Sequence, residues 1–220
     1  MTLYLSRLRL DRSAGNAALQ GLLDPVEAGR AIDAHHRLIW TLFADNAERR
    51  RDFLWRSEGQ GRFLVLSERP PAPHPLFEPP EVKEFAPVLA PGDRLEFALR
   101  ANATRQKRGG ERVDVVMDAL YEVPRGARAP ERMEVAGREG RAWLERQGRK
   151  AGFRVLAALT EGYSTEGPSG LRKSQPRFGI LDLRGQIEVI ESVAFAAQLG
   201  KGFGRAKAFG CGLMLIRRAR

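Results

Sequence analysis

The chain has one cysteine, Cys211, and three histidines among its 220 residues. A single cysteine excludes an internal disulfide and any metal site built from several thiolates. The sequence also lacks the short signatures of serine hydrolases, zinc peptidases and nucleotide-binding loops. No uncharged apolar run approaches the ~20 residues that a membrane-spanning helix requires. The simplest catalytic site that remains is one that needs a histidine and a group of cations.

Acidic residues are fewer than basic ones in this chain. The chain has 27 acidic residues against 37 lysines and arginines, which gives a formal net charge of +10. The acids are scattered among basic residues, which argues against a nuclease that holds metal ions with a carboxylate cluster, and we expect no cofactor. The excess positive charge favours an anionic partner, nucleic acid first and an acidic membrane surface second. With a single cysteine and no signal peptide, the expected location is the cytoplasm.

Glycines and cations are concentrated near the end of the chain, where residues 200–212 read GKGFGRAKAFGCG. Glycine allows positive φ angles and a close approach of another backbone. Cationic side chains among such glycines suit a phosphate group. A solvated, flexible turn explains the glycines equally well. The charge balance favours a functional role, because no acid follows Glu191 whereas six basic residues do: Lys201, Arg205, Lys207, Arg217, Arg218 and Arg220.

The order of predicted elements indicates an α+β fold. From Arg94 onward the patterns predict strand, helix, strand, strand, helix and strand, which is the ferredoxin-like order that RNA-recognition modules also use. The N-terminal part predicts a degraded version: a strand, a helix over residues 24–43 that starts with Asp24 as N-cap, a short helix over 48–55, and one or two strands. We therefore predict two tandem ferredoxin-like (RRM-like) domains, 1–91 and 92–220, although no internal sequence repeat proves it.

Two histidines, His35 and His36, are adjacent on the first predicted helix. Their side chains point about 100° apart, so they do not bind one metal together. For a lone helical histidine, a packed or solvated ring is the usual explanation. RNA offers another, because its own 2′-hydroxyl can attack the adjacent phosphate if a proton acceptor or donor and positive charge are supplied. His36, with Arg37 and the glycine-rich stretch, is the candidate for that role.

Six stretches, taken in order, resemble the CRISPR repeat-RNA endoribonuclease of type I-E systems, the CasE subunit of Cascade. They are MTLYLSRLRL, HRLIWTLF, RRDFLW, LEFALRANAT, RVDVVM and GFGRAKAFGCGLMLI. The last is the most specific, because the family pattern is Gly-x-Gly-x-x-Lys-x-x-Gly-x-Gly-Leu. The matching residues here are Gly202, Gly204, Lys207, Gly210, Gly212 and Leu213.

The resemblance implies RNA lying across two ferredoxin-like domains and metal-independent cleavage at the base of a repeat hairpin, with the product kept bound in Cascade beside the other subunits. It implies that His36, four residues before Trp40, is the catalytic histidine. The family's tyrosine three residues earlier is replaced by Asp33, so the second catalytic group stays open. The basic loop 171–177 falls where the family inserts a cationic element into the hairpin groove. The implied RNA-binding residues are Arg37, Arg172, Lys173, Arg177, Lys201, Gly202, Gly204, Arg205, Lys207, Gly210 and Gly212.

Two alternatives remain. In the first, the protein is a non-catalytic RNA-hairpin-binding module in which Asp33 marks a lost active site. In the second, which the net charge alone allows, it is a basic protein associated with ribosomes or membranes. The family resemblance implies no membrane partner.

Overall fold

A computed structural model describes residues 2–46, 48, 50–167 and 177–219. These residues form two compact units. The first takes residues 2–86 together with Gly167, Arg177 and Lys207–Gly210. The second takes Pro87–Glu166, Phe178–Ala206 and residues 211–219. The predicted domain boundary at residue 91 stays a prediction.

The first unit contains a four-stranded antiparallel sheet with the strand order β2-β3-β1-β4. This is the ferredoxin-like order, in which the first strand lies between the third and the fourth. Residues 68–80, all of them described, hold six prolines and carry no helix where the second ferredoxin-like helix would stand. The elements are β1 (Tyr4–Arg9), α1 (Ala14–Ala17), α2 (Gln20–Leu23), α3 (Ala28–Thr41), β2 (Phe53–Gly59), β3 (Arg62–Ser67) and β4 (Glu81–Glu84).

The core of this unit forms where α3 packs on one face of the sheet. Ile39 on the helix and Phe63 on β3 are fully buried. Phe43 stacks on Phe53 with ring centroids 4.5 Å apart. Burial of each such side chain stabilises the fold by about 1.5–3 kcal/mol. The helix that carries both adjacent histidines is therefore held firmly against the sheet.

The second unit has the complete ferredoxin-like topology, since its antiparallel sheet has the order β10-β5-β9-β8. Together with the first sheet it confirms the predicted α+β class and the ferredoxin-like fold. A small hairpin, β6-β7, stands beside this sheet. The elements are β5 (Arg94–Ala101), β6 (Thr104–Gln106), β7 (Arg112–Asp114), α4 (Val115–Tyr121), α5 (Arg128–Ala151), β8 (Phe153–Glu166), β9 (Phe178–Val189), α6 (Ser192–Lys201) and β10 (Met214–Arg218).

Two predictions for the first unit are wrong. The described part of residues 48–55 does not form a helix, because residues from Phe53 onward pair with β3. A tight turn joins the two strands, and Gly59, Gln60 and Gly61 in it all have positive φ. The long helix begins at Ala28 and not beside Asp24. The Asp24 carboxylate is engaged elsewhere, since it lies 2.9 Å from the His35 ring. Tertiary contacts outweigh the local capping signal at that point.

In the second unit, α4 follows directly after the strand β7. The strand ends at Asp114, whose carboxylate accepts hydrogen bonds from the backbone N–H groups of Val116 and Met117, both at 2.9 Å. A side chain that accepts these bonds caps a helix and starts α4.

Candidate active site

His36 lies next to the glycine-rich stretch. Its Nδ1 atom is 2.8 Å from the carbonyl oxygen of Ala208. A carbonyl oxygen can only accept a hydrogen bond, so Nδ1 must carry the proton that it donates. In the neutral ring the other nitrogen, Nε2, then has a free lone pair. His36 is thus oriented with one nitrogen anchored and the other available to take up or release a proton.

Aromatic rings surround the His36 imidazole. The Phe209 ring centroid is 5.3 Å from that of His36, and the Trp40 centroid is 6.4 Å away in an edge-on arrangement. His36 itself is partly buried. These rings restrict the imidazole to few orientations, so its Nε2 atom keeps a defined direction.

Trp55 shares the anchoring carbonyl with His36. Its indole nitrogen donates to the Ala208 oxygen at 3.0 Å. The Trp55 ring also lies under Gly210, where an added Cβ would be 3.2 Å from two of its carbon atoms. Gly210 has a φ of 78°, which glycine adopts without strain. Glycine at this position therefore lets the chain lie flat on the indole beside the His36 anchor.

His35 has a structural environment, in contrast to its neighbour. The residue is buried, with 5% of its surface exposed, and its Nε2 is 2.9 Å from an Asp24 carboxylate oxygen. Its ring lies edge-on against Phe63, with the centroids 4.8 Å apart. Burial lowers the pKa of His35, and the hydrogen bond to Asp24 offsets only part of that effect. The neutral ring is therefore the form that packs in the core.

This burial makes unfolding sensitive to pH. Because the pKa of His35 is lower in the folded protein, the unfolded chain binds the proton more tightly, and protonation favours unfolding. The stabilising contribution is complete above the ordinary histidine pKa of about 6.5 and is lost as pH falls below it. We expect His35→Gln, which keeps an N–H donor for Asp24 but does not titrate there, to flatten the decline of the urea midpoint between about pH 7 and pH 5. An equally steep decline in the variant would contradict this assignment.

Two cations lie near the His36 anchor in the first unit. Lys207 precedes Ala208 directly, and its ammonium group is partly buried. Burial lowers the pKa of Lys207, and the nearby positive charge of Arg51 lowers it further. Burial also lowers the pKa of Arg51. A bound anion can stabilise two like charges that are partly withdrawn from water.

Arg37 is exposed on the following position of α3 and forms an ion pair with Asp33 one turn earlier. The Arg37 side chain is 75% exposed, so this pair contributes little to stability. The Asp33 carboxylate is thus paired with a guanidinium.

The remaining predicted RNA-binding residues are distributed over the two units. Arg177 belongs to the first unit and is exposed. Arg172 and Lys173 lie outside the described residues. In the second unit, the Arg205 backbone N–H donates to the Asn102 carbonyl at 3.1 Å. The other predicted residues in that unit are Lys201, Gly202, Gly204 and Gly212.

The glycines of the pattern have a backbone role. Gly202, Gly204 and Gly212 all have positive φ, as Gly210 does. At Gly204 an added Cβ would lie 2.6 Å from the Asn102 carbonyl oxygen, which leaves no room for a side chain. The family pattern therefore reflects the path of the chain, and the cations between the glycines are the groups that can meet a phosphate.

Two cations and the cysteine of the second unit have other surroundings. Arg105 and Lys107, in the β6-β7 hairpin, both pair with Asp118. Burial raises the pKa of the Cys211 thiol to about 12, so this thiol stays protonated.

No described helix is both long enough and apolar enough to cross a membrane. Within the described ranges, no three His, Cys, Asp or Glu side chains are grouped as metal ligands would be.

Three parts of this arrangement were not predicted from the sequence: the Ala208 carbonyl, the Trp55 indole and the Arg51 charge. Trp55 and Arg51 both lie in the RRDFLW stretch, which marks the family but was assigned to a helix. Had residues 53–55 been assigned to a strand, their apolar side chains would have indicated that this stretch lies in the sheet beside α3. The role of the Ala208 carbonyl cannot be recognised from the sequence, because every residue has a backbone carbonyl.

The comparisons with known proteins agree with one another. A family model described as CRISPR associated protein matches residues 3–218. The CRISPR-associated endoribonuclease Cse3 of Thermus thermophilus is 27% identical over 237 aligned positions, covering 97% of this chain and 99% of the relative. The structure of Thermus thermophilus Cse3 bound to an RNA representing a pre-cleavage complex is similar at a TM-score of 0.70, with 25% identity and coverage of 99% of this chain and 100% of that one.

A further solved structure supports the fold. Cas6e from Escherichia coli K-12 matches at a TM-score of 0.65 and 21% identity, covering 98% of this chain and 100% of that one. The family match extends over nearly the whole length, which confirms the resemblance found from the sequence motifs. The chain therefore belongs to the CRISPR associated protein family.

Proposed function

We propose that this protein is an RNA endonuclease that cleaves CRISPR precursor RNA at the base of the repeat hairpin. The observation that carries the proposal is the His36 imidazole, anchored through Nδ1 on the Ala208 carbonyl with Nε2 available for proton transfer. The similarity to Cse3, which is named as an endoribonuclease and has been solved with RNA, supports RNA as the substrate.

The proposed reaction needs no external nucleophile. The 2′-oxygen of the nucleotide before the cut attacks the adjacent phosphorus, forming a new O–P bond while the bond from phosphorus to the 5′-oxygen breaks. In one form of the step, neutral His36 accepts the 2′-hydroxyl proton at Nε2 and water protonates the departing 5′-oxygen. In the other, protonated His36 donates a proton to the departing 5′-oxygen and water accepts the 2′-hydroxyl proton. The products are a 2′,3′-cyclic phosphate and a 5′-hydroxyl. Because the substrate supplies the nucleophile, proton transfer and charge stabilisation are enough, and we propose that cleavage is independent of metal ions.

The negative charge that develops on the phosphate requires nearby cations. Lys207 is the first candidate, since it is adjacent to the residue that anchors His36. Arg51 is the second candidate, because its positive charge is near enough to lower the pKa of Lys207. Asp33 is ion-paired with Arg37 and is proposed to orient that guanidinium. We assign no second proton donor.

Binding of the hairpin is proposed to use cations from both predicted domains. Predicted domain 1–91 is proposed to supply the catalytic histidine, and predicted domain 92–220 the basic loop and the glycine-rich stretch. Arg172, Lys173 and Arg177 are proposed to contact the hairpin groove, and Lys201 and Arg205 the phosphate backbone. The cleaved guide RNA stays bound, and the protein joins the other Cascade subunits. These partners follow from the family resemblance.

One gel tests the proposed activity. The protein is incubated with its own repeat RNA and with a repeat whose stem is disrupted by substitutions in one strand. We expect a single cut at the base of the intact hairpin and none in the disrupted RNA. Tight binding of the intact hairpin without any cut would favour the alternative function, a non-catalytic hairpin-binding protein.

Replacement of the two basic residues in the proposed groove loop should affect recognition selectively. We expect Arg172→Ala combined with Lys173→Ala to weaken binding of the repeat hairpin more than binding of an unstructured RNA of equal length, because duplex RNA is recognised by shape. The log–log slope of affinity against salt should also fall by about one unit for each phosphate contact that is lost. Arg217→Ala with Arg218→Ala, which removes two exposed cations from another part of the chain, is the matched control. Equal losses for both RNAs would show that the loop is a general charged surface.

A further inference from the structure

The Ala208 carbonyl oxygen accepts two hydrogen bonds from side chains of different elements. His36 Nδ1 reaches it from α3 at 2.8 Å, and Trp55 Nε1 reaches it from β2 at 3.0 Å. A carbonyl oxygen has two lone pairs, so these two donors use its whole accepting capacity. Rotation of this peptide group would break both bonds at once.

Trp55 holds the same segment at a second point. Trp55 is 1% exposed, and its ring lies where a Cβ on Gly210 would come within 3.2 Å. The indole therefore contacts the chain on both sides of Phe209, by a hydrogen bond before it and by packing after it. Phe209 in turn lies against the His36 ring.

We propose that Trp55 is a positioning residue for His36, an inference that rests on the proposed function for its catalytic consequence. The indole N–H holds the Ala208 carbonyl in the direction in which it accepts the His36 Nδ1 proton. That bond selects the Nδ1–H form of the neutral ring and leaves Nε2 as the proton acceptor. Trp55 has no contact with the reacting atoms in this scheme and acts only through the carbonyl.

A simple core role is the competing explanation, because Trp55 also packs in the apolar cluster of the first unit. That role predicts lower stability but an unchanged form of the His36 ring. The two roles therefore differ in a property of the RNA-free protein that does not depend on any cleavage.

The decisive variant is Trp55→Phe, which keeps a buried aromatic ring and removes the N–H donor. Phe43→Leu is the matched control, since Phe43 is equally buried in the same cluster and has no bond to Ala208. Long-range nitrogen–proton NMR spectra of the RNA-free proteins report which ring nitrogen of His36 carries the proton. Single-turnover cleavage at saturating RNA reports the rate of the chemical step.

We expect wild type and Phe43→Leu to show mainly the Nδ1–H form, and Trp55→Phe to show a mixture or mainly Nε2–H. We also expect Trp55→Phe to cleave at least about tenfold more slowly than Phe43→Leu, because a displacement near 1 Å in a reacting group can cost about a hundredfold. RNA affinity should stay within about twofold of wild type, since an uncharged buried ring makes no phosphate contact.

Gly210→Ala is the second variant, and it does not remove the indole. Its new Cβ would press on the Trp55 ring from a backbone angle that disfavours a side chain. The same shift of the His36 ring is expected, and it decides the matter if Trp55→Phe does not fold. An unchanged Nδ1–H form in folded Trp55→Phe and Gly210→Ala would overturn the positioning role. If wild type does not cleave RNA, the proposed function fails, but the NMR comparison still decides the role of Trp55.

Discussion

Replacing His36 by asparagine is expected to slow single-turnover cleavage of the repeat hairpin by about 10²–10⁴-fold, the usual contribution of a positioned acid or base. The amide nitrogen of asparagine stands where Nδ1 of the imidazole stands, so His36→Asn can keep the hydrogen bond to the Ala208 carbonyl. It has no counterpart of Nε2 and does not titrate. The variant therefore separates anchoring of the loop from proton transfer.

Affinity for the hairpin should remain close to that of wild type in His36→Asn, because binding depends mainly on phosphate contacts of cations. His35→Gln is the matched control on the adjacent residue and keeps a donor for Asp24. It should cleave at nearly the wild-type rate. Wild-type cleavage by His36→Asn, or an inactive but folded His35→Gln, would remove His36 from the catalytic role.

The second large effect is expected in the substrate. An RNA with hydrogen in place of the 2′-hydroxyl at the nucleotide before the cut should bind normally and show no detectable cleavage. The reason is chemical: the proposed nucleophile is then missing, and no side chain replaces it. Binding should be unaffected, because phosphates dominate RNA affinity.

The control substrate carries the same deoxy substitution one nucleotide further from the cut. It should be cleaved at close to the normal rate, which shows that a loss of ribose geometry in general is not responsible. Cleavage of the first deoxy substrate at a normal rate would mean that water or another nucleophile attacks the phosphate.

Strong local patterns predicted the regular elements of the second unit well. The alternation of residues from Arg94 to Ala101 was sufficient for β5, and the run of helix formers located most of α5. The errors occurred where distant residues decide the outcome. Asp24 has the local features of an N-cap, but the carboxylate bonds to His35, and the helix starts at Ala28. No property of residues 24–27 alone indicates this partner.

The catalytic role of His36 stays a prediction. Motif spacing selected His36 over His35, and the structure places His36 beside the glycine-rich stretch, with His35 in the core. The anchoring group could not be predicted, because a carbonyl belongs to every residue. Trp55 was hidden by the wrong helix assignment, and its hydrogen bond joins positions 153 residues apart in the chain.

The most direct test of the central claim is to identify the ends of the cleavage products by mass spectrometry, with wild-type protein, the repeat hairpin and excess EDTA. Attack by the 2′-hydroxyl with His36 as proton carrier predicts one fragment that ends in a 2′,3′-cyclic phosphate and another that begins with a 5′-hydroxyl. It also predicts that these two fragments form as fast with EDTA as without it. A 3′-hydroxyl with a 5′-phosphate, or no products until Mg²⁺ is added, would contradict the mechanism.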